Sequence, residues 1–202
     1  MNRLICIAIA LLFSSQANAT LISVAGPLSS NAVAASIIAP PSFALDAMVT
    51  NLAQEGFDEM QNVLLAAPLV VDAGLIAPGT VVDSHMIFLN IPAGAPGTTH
   101  GSVIWTFSGT VLGVMSDSMG ALEVASTALL GAAGTAYPAA TFAARGMEGG
   151  DAYAIAGNTL TVSMGVSQPG DWIRVITVPE PTTLALLGLG LAGLGFARKR
   201  PH

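Results

Sequence analysis

Charge is what this sequence lacks most. Only 9% of its 202 residues are charged, and basic residues number six. Arg3 sits near the first residue, and Arg198, Lys199 and Arg200 cluster near the last. Residues 20–178 keep two cations, Arg145 and Arg174, against eleven acids, a formal charge of −9. Such a body repels phosphate backbones and anionic lipid surfaces, which excludes nucleic acid as a partner. Hydrophobic residues at 52% and a mean hydropathy of +0.69 exclude a disordered tail and a charge-laced coiled coil. Cysteine is nearly absent too. The single one, Cys6, precedes most of an early apolar run, where a lipidated cysteine would follow it. Without that run the chain has no thiol, so disulfides and cysteine catalysis are both out. Stability then rests on an apolar core, and 159 residues over 20–178 suffice to build one. Aromatic residues, at 5%, are few for a sugar-binding platform.

The two ends carry the clearest signals. Residues 1–19 run from basic Arg3 through an apolar stretch at 4–13 and polar Ser14, Ser15 and Gln16 to Ala17-Asn18-Ala19. That is the order of a secretory signal peptide, with Ala17 and Ala19 at the cut and Thr20 as the first mature residue. Ten helical residues reach about 15 Å, half of a roughly 30 Å hydrocarbon core, so a membrane anchor is disfavoured. At the other end, residues 184–197 carry no charge and Arg198-Lys199-Arg200 follow at once. A transmembrane helix over 182–197 spans about 24 Å, enough for a thin or locally deformed bilayer. The basic cluster sets its end on the cytoplasmic side. Just before stands Val178-Pro179-Glu180-Pro181, whose prolines force an extended, accessible stretch.

This order of Val-Pro-Glu-Pro, a Leu/Gly/Ala helix and an Arg-Lys-Arg end resembles the PEP-CTERM sorting tail of Gram-negative bacteria, over residues 178–202. The resemblance implies export, a transient stay in the inner membrane, and cleavage near Pro179-Glu180-Pro181 by an exosortase. It also implies association with extracellular polysaccharide, biofilm or the cell surface. The same tail bears the name ice-binding protein C-terminal region, which brings no ice chemistry to the rest of the chain. Within the helix, Gly188, Gly190 and Gly193 spell G-x-G-x-x-G. A dinucleotide site needs a preceding strand and an acid about twenty residues on, so these read as small residues on a membrane helix.

The middle reads as strands. Residues 159–166 alternate strictly, with Leu160, Val162, Met164 and Val166 on one face, the pattern of a half-buried antiparallel strand. Gln168-Pro169-Gly170-Asp171 makes a turn into a second β-rich run at 172–177. Residues 102–108 alternate too, with Trp105 on the apolar face, and 110–115 follow after Gly109. Residues 81–90 are apolar on both faces and read as a central strand. Residues 62–72 form one strand, or two broken at Pro68. A Ser126 cap and a Gly131 stop predict a short helix over 126–131. This is a mainly β chain, a β-sandwich or jelly roll over 55–177. Residues 20–54, rich in Ala, Ser and Pro, either join that core or precede it, with a short helix over 43–54. Three stretches, at 77–85, 112–117 and 170–175, resemble elements of exported bacterial β-domains that carry this tail, a likeness that supports the β fold and supplies no site.

Chemistry-bearing residues are scattered. Asp83 and His85 share a strand face, and with His100 they could begin a metal site, though no HxH or HExxH supports it. Ser84 neighbours His85 in sequence but points to the opposite face, and no G-x-S-x-G elbow occurs. Glu59, Glu123 and Glu148 stand in no informative motif for glycoside hydrolysis. The best cation loop is Glu148-Gly149-Gly150-Asp151, two carboxylates on a flexible turn that suit structural Ca²⁺. Arg174 is expected to pair with an acid, Asp171 being nearest in sequence. The expected function is a non-enzymatic exported protein of the cell surface or extracellular matrix, sorted by an exosortase. A polysaccharide- or ice-binding module and a hydrolase acting on extracellular polysaccharide are the alternatives.

Overall fold

Alternation of period two becomes strand wherever the sequence displays it. The computed structural model describes residues 18–42, 52–91, 95–167 and 170–179. These fall in one unit, 18–180; a second, 1–17 with 181–202, lies outside the described residues, and with it most of the signal segment and the expected membrane helix. Among the described residues no helix is long and apolar enough to cross a membrane. In chain order the elements are β1 (Leu21–Ala25), β2 (Ser36–Ile37), β3 (Glu55–Asp58), β4 (Val63–Leu64), β5 (Leu69–Val71), β6 (Gly74–Ile76), β7 (Val81–Leu89), β8 (Thr98–Phe107), β9 (Thr110–Met115), α1 (Ala121–Leu130), β10 (Ala152–Ala156), β11 (Thr159–Val166) and β12 (Asp171–Val178).

A four-stranded sheet, β1-β8-β11-β10, faces a six-stranded one, β2-β3-β7-β12-β9 with β4 on the far half of β7. Only β2–β3 is parallel within them. Between the sheets pack Val103, Trp105 and Phe107 of β8, Leu160, Val162 and Met164 of β11, and Ile87, Leu89, Ile173 and Val175 of β7 and β12. The outer face of the six-stranded sheet is covered as well. The β5–β6 hairpin and α1 pack Leu69, Val71, Ile76 and Leu130 against Val82 and Ile176, while Tyr137 and Phe142 cover Met86, Phe88 and Trp172. The protein therefore has three layers, which is why β7 and β12 are buried on both faces while β11 alternates.

Several expectations shift. Residues 20–42 contribute β1 and β2 to the two sheets, and residues 43–51 of the expected helix lie outside the described residues. Residues 62–72 are two strands, with Pro68 between β4 and β5. The helix begins five residues before Ser126. Asp117 caps it instead, its carboxylate accepting the Ala121 and Leu122 N–H groups at 2.7 and 2.9 Å. Ser126 sits mid-helix and donates back to the Leu122 carbonyl. Gly131 does end the helix, its N–H bonded to the Thr127 carbonyl.

Both arginines lie under this outer layer, fully buried. Arg174 does not meet Asp171, because neighbours three apart on a strand point to opposite faces. It grips Glu59 with two bonds, Nε to Oε2 at 2.7 Å and Nη2 to Oε1 at 2.8 Å. Its Nη1 donates to the Glu123 carbonyl and the Ser126 hydroxyl of α1. Ser84 and Tyr137 also donate to Glu59. Arg145 binds the Glu123 carboxylate through Nε and Nη2, and the Pro138 and Ala140 carbonyls through Nη1. Burial alone would lower the pKa of Arg174, but the charge and hydrogen bonds of Glu59, with the charges of Glu123 and Tyr137, together raise it. The charges alternate Glu59, Arg174, Glu123, Arg145 and cancel. Arg174→Met should lower the unfolding free energy by about 3–5 kcal/mol, read from urea denaturation, because it strands the buried Glu59 carboxylate without a counter-ion. Adding Glu59→Gln should cost less than the two single effects summed.

Candidate functional site

The polar side chains singled out in sequence are mostly spent on structure. His85 is fully buried, with Nδ1 at 2.7 Å from Asp58 Oδ1 and Nε2 at 2.9 Å from Thr177 Oγ1. Asp83 accepts the backbone N–H groups of Ala19 and Asn62. His100 accepts the Gln54 N–H through Nδ1 and donates through Nε2 to the Pro27 carbonyl. The three do not form a common ligand set. Ser84 turns to Glu59, away from His85. Glu59 and Glu123 converge, but around guanidinium groups. Trp105 is core, its indole N–H donating to buried Gln54, and Trp172 is 2% exposed.

The segments that flank the two expected cleavage sites meet at one turn. Ala17 lies outside the described residues, as do Glu180, Pro181 and the basic cluster Arg198, Lys199 and Arg200. Ala19 is fully buried, and the Thr20 N–H donates to Ser108 Oγ at 2.7 Å. At the other end of the body, Val178 closes β12 opposite Thr110, and Pro179 follows without an N–H to continue the ladder. Gly109 sits between these ends. A methyl group there would stand 2.3 Å from the Val178 carbonyl and 2.5 Å from the Ala19 side chain, so only glycine lets both approach.

The other end of β12 carries the acids. Asp171 opens the strand opposite Leu89, on the inner face with Ile173 and Val175. It is 1% exposed, and its Oδ2 has no hydrogen-bond partner. One oxygen each from Glu148, Asp151 and Asp171 lie within 4.8 Å of one another. The tight turn from Glu148 to Asp151 builds the other half. The Asp151 N–H bonds the Glu148 carbonyl, Gly149 takes φ +63°, and the Asp151 oxygens accept the Glu148 and Gly165 N–H groups. Sequence reading found Glu148 and Asp151 and missed Asp171, twenty residues on. Its available signal was a carboxylate opening a strand rich in β-branched residues. Burial first, then the charges of Asp151 and Glu148, and last a hydrogen bond with Asp151 push Asp171 from the ordinary 3.8 up to about 9. Burial, then Asp151, also raises Glu148.

Residues 177–200 match the PEP-CTERM protein-sorting motif. The chain therefore carries a sorting signal of exported proteins that exosortases process at the membrane, and its first two residues are the last two of β12. No curated protein and no solved structure matches the chain.

The acid cluster makes a pH prediction. The folded state holds a proton on Asp171 that the unfolded chain releases near pH 3.8, so the folded state binds more protons between there and about 9. Its stability contribution is complete below the lower value and is lost as pH rises through the higher one. In chelator, urea midpoints at pH 5, 7 and 9 should fall further for the wild type than for Asp171→Asn.

Proposed function

We propose that this is a non-enzymatic surface or matrix protein whose folded body is processed at one end and delivered by an exosortase. The observation that carries the proposal is the junction at Gly109. The sorting motif begins inside the central strand β12, and Pro179 leaves the sheet beside the N-terminal segment. A cut near Pro179-Glu180-Pro181 would thus fall just past the last ladder residue and leave the body intact. The non-enzymatic reading is supported by how the polar groups are used: Glu59 and Glu123 are tied to arginines, His85 to Asp58 and Thr177, and Ser84 to Glu59.

The same junction favours a signal-peptide cut after Ala17, not after Ala19. Ser15 and Ala17 supply the small residues that signal peptidase needs. A cut after Ala19 would remove a fully buried residue and take its N–H away from Asp83. In cells with an exosortase, the mature protein should begin at Asn18, lack the tail beyond 179–181 and leave the inner membrane. Without the enzyme it should keep the tail and stay in the membrane fraction. Intact mass and fractionation in both strains decide the sorting reading, and a Thr20 start would overturn the Asn18 assignment alone.

A second reading, a binding module, is favoured by the outer face of the four-stranded sheet. Across it run the rows Ala156-Thr159-Thr106-Ser23 and Ala154-Thr161-Ile104-Ala25, small or β-branched and uncharged. Such a face suits a regular crystalline surface, polysaccharide or ice, better than a soluble charged sugar. Wild-type protein should adsorb to crystalline polysaccharide or show thermal hysteresis, and Thr161→Arg should lose the effect at least tenfold. Blank results in both assays would retire this reading.

A further inference from the structure

We propose that Glu148, Asp151 and Asp171 bind Ca²⁺, which fastens the loop between α1 and β10 to the start of β12. The site is independent of the sorting reading, since it lies at the opposite end of β12 from the processed junction, about 23 Å away at 3.3 Å per residue.

Three observations converge on it. The first is geometry. Oxygens on opposite sides of one Ca²⁺ stand about 4.6–5.2 Å apart, from Ca–O distances of 2.3–2.6 Å. One oxygen from each of the three carboxylates lies within 4.8 Å of the others, so one ion can bridge all three. Mg²⁺, with ligands at about 2.0–2.1 Å, demands a tighter and more regular shell. The donors are all oxygen, which disfavours zinc, a metal of thiolate and imidazole sites.

The second is the state of Asp171. It is a buried carboxyl whose Oδ2 has no hydrogen-bond partner, and one of its oxygens lies within 4.8 Å of an oxygen of each of two further acids. Burying a polar group without a partner is costly, and two further acids beside it make it costlier. The third is the absence of a protein counter-ion. Among the described residues the cations are Arg145 and Arg174, and both guanidinium groups are bound to Glu123 and Glu59 under the outer layer. His85 and His100 are engaged elsewhere. A divalent ion supplies the positive charge that the chain does not.

The turn is suited to such an ion. Glu148 is exposed and free to swing, and added Cβ atoms at Gly149 and Gly150 would meet nothing within 4 Å, so the approach is open. Asp151 is held by two N–H groups, each using one lone pair of its oxygens and leaving others for a metal. Water completes the six to eight ligands that Ca²⁺ takes. A site of two carboxylates on a pliable turn and a third at a strand end belongs with extracellular modules, whose dissociation constants are about 10⁻⁴–10⁻³ M. It fills only where calcium is millimolar, which for an exported protein is outside the cell.

The test is thermal unfolding of the full-length chain in detergent micelles, followed by tryptophan fluorescence. In about 10 mM CaCl₂ the wild-type Tm should rise by about 3–10 °C over EDTA. The same concentration of MgCl₂ should give less than half that shift. Asp171→Asn keeps the shape of the side chain, so it should fold in EDTA with a Tm no lower than wild type, yet lose the calcium response. Asp151→Asn should weaken calcium binding at least tenfold by calorimetry. No wild-type shift, an equal shift with Mg²⁺, or an undiminished shift in Asp171→Asn would each overturn the proposal.

Discussion

The structure depends on how two arginines are spent. A body with eleven acids and two cations could have scattered its cations on the surface, where ion pairs are worth little. Here both lie inside, alternating with Glu59 and Glu123 beneath α1 and the segment after it. The four charges cancel, and the leftover hydrogen-bonding capacity is met by Ser84, Tyr137, Ser126 and main-chain carbonyls. A buried pair of this kind adds little net stability over an apolar replacement, yet losing one member is severe. Its effect is to fix position. Glu59 follows β3, Arg174 is central on β12, and Glu123 lies on α1, so one helix location over the sheet satisfies all of them.

The rest of the electrostatics follows from that commitment. With both guanidinium groups consumed under the outer layer, the acids at the start of β12 have no protein cation among the described residues. Asp171 must then hold a proton or meet an ion, and its raised pKa and its unpartnered oxygen are two views of one debt. The opposite end of β12 is apolar and tightly closed around Gly109, where the N-terminal segment and the sorting motif come together. One strand therefore joins an acid-rich end to a processed end.

Reading strands from this sequence worked because its periodicity is nearly unmixed. Leu160, Val162, Met164 and Val166 alternate, and residues 81–89 are buried on both faces, because a middle layer has no solvent side. The short helix was legible only at its C-terminus. Gly131 is a local stop, whereas the cap comes from Asp117, four residues before the first helical residue, a spacing that the usual cap position does not anticipate.

What the sequence by itself determined is destination and class. Val178-Pro179-Glu180-Pro181 before an apolar stretch and three basic residues is a contiguous sorting signal, read along the chain. The β character is equally local, since side-chain alternation is a property of neighbours. Tertiary structure alone decided the pairings. Arg174 meets Glu59 at a separation of 115 residues, and Asp171 meets Glu148 and Asp151 across a loop and two strands. Such meetings depend on which strands lie side by side and which face each residue takes, and sequence distance carries no information about either.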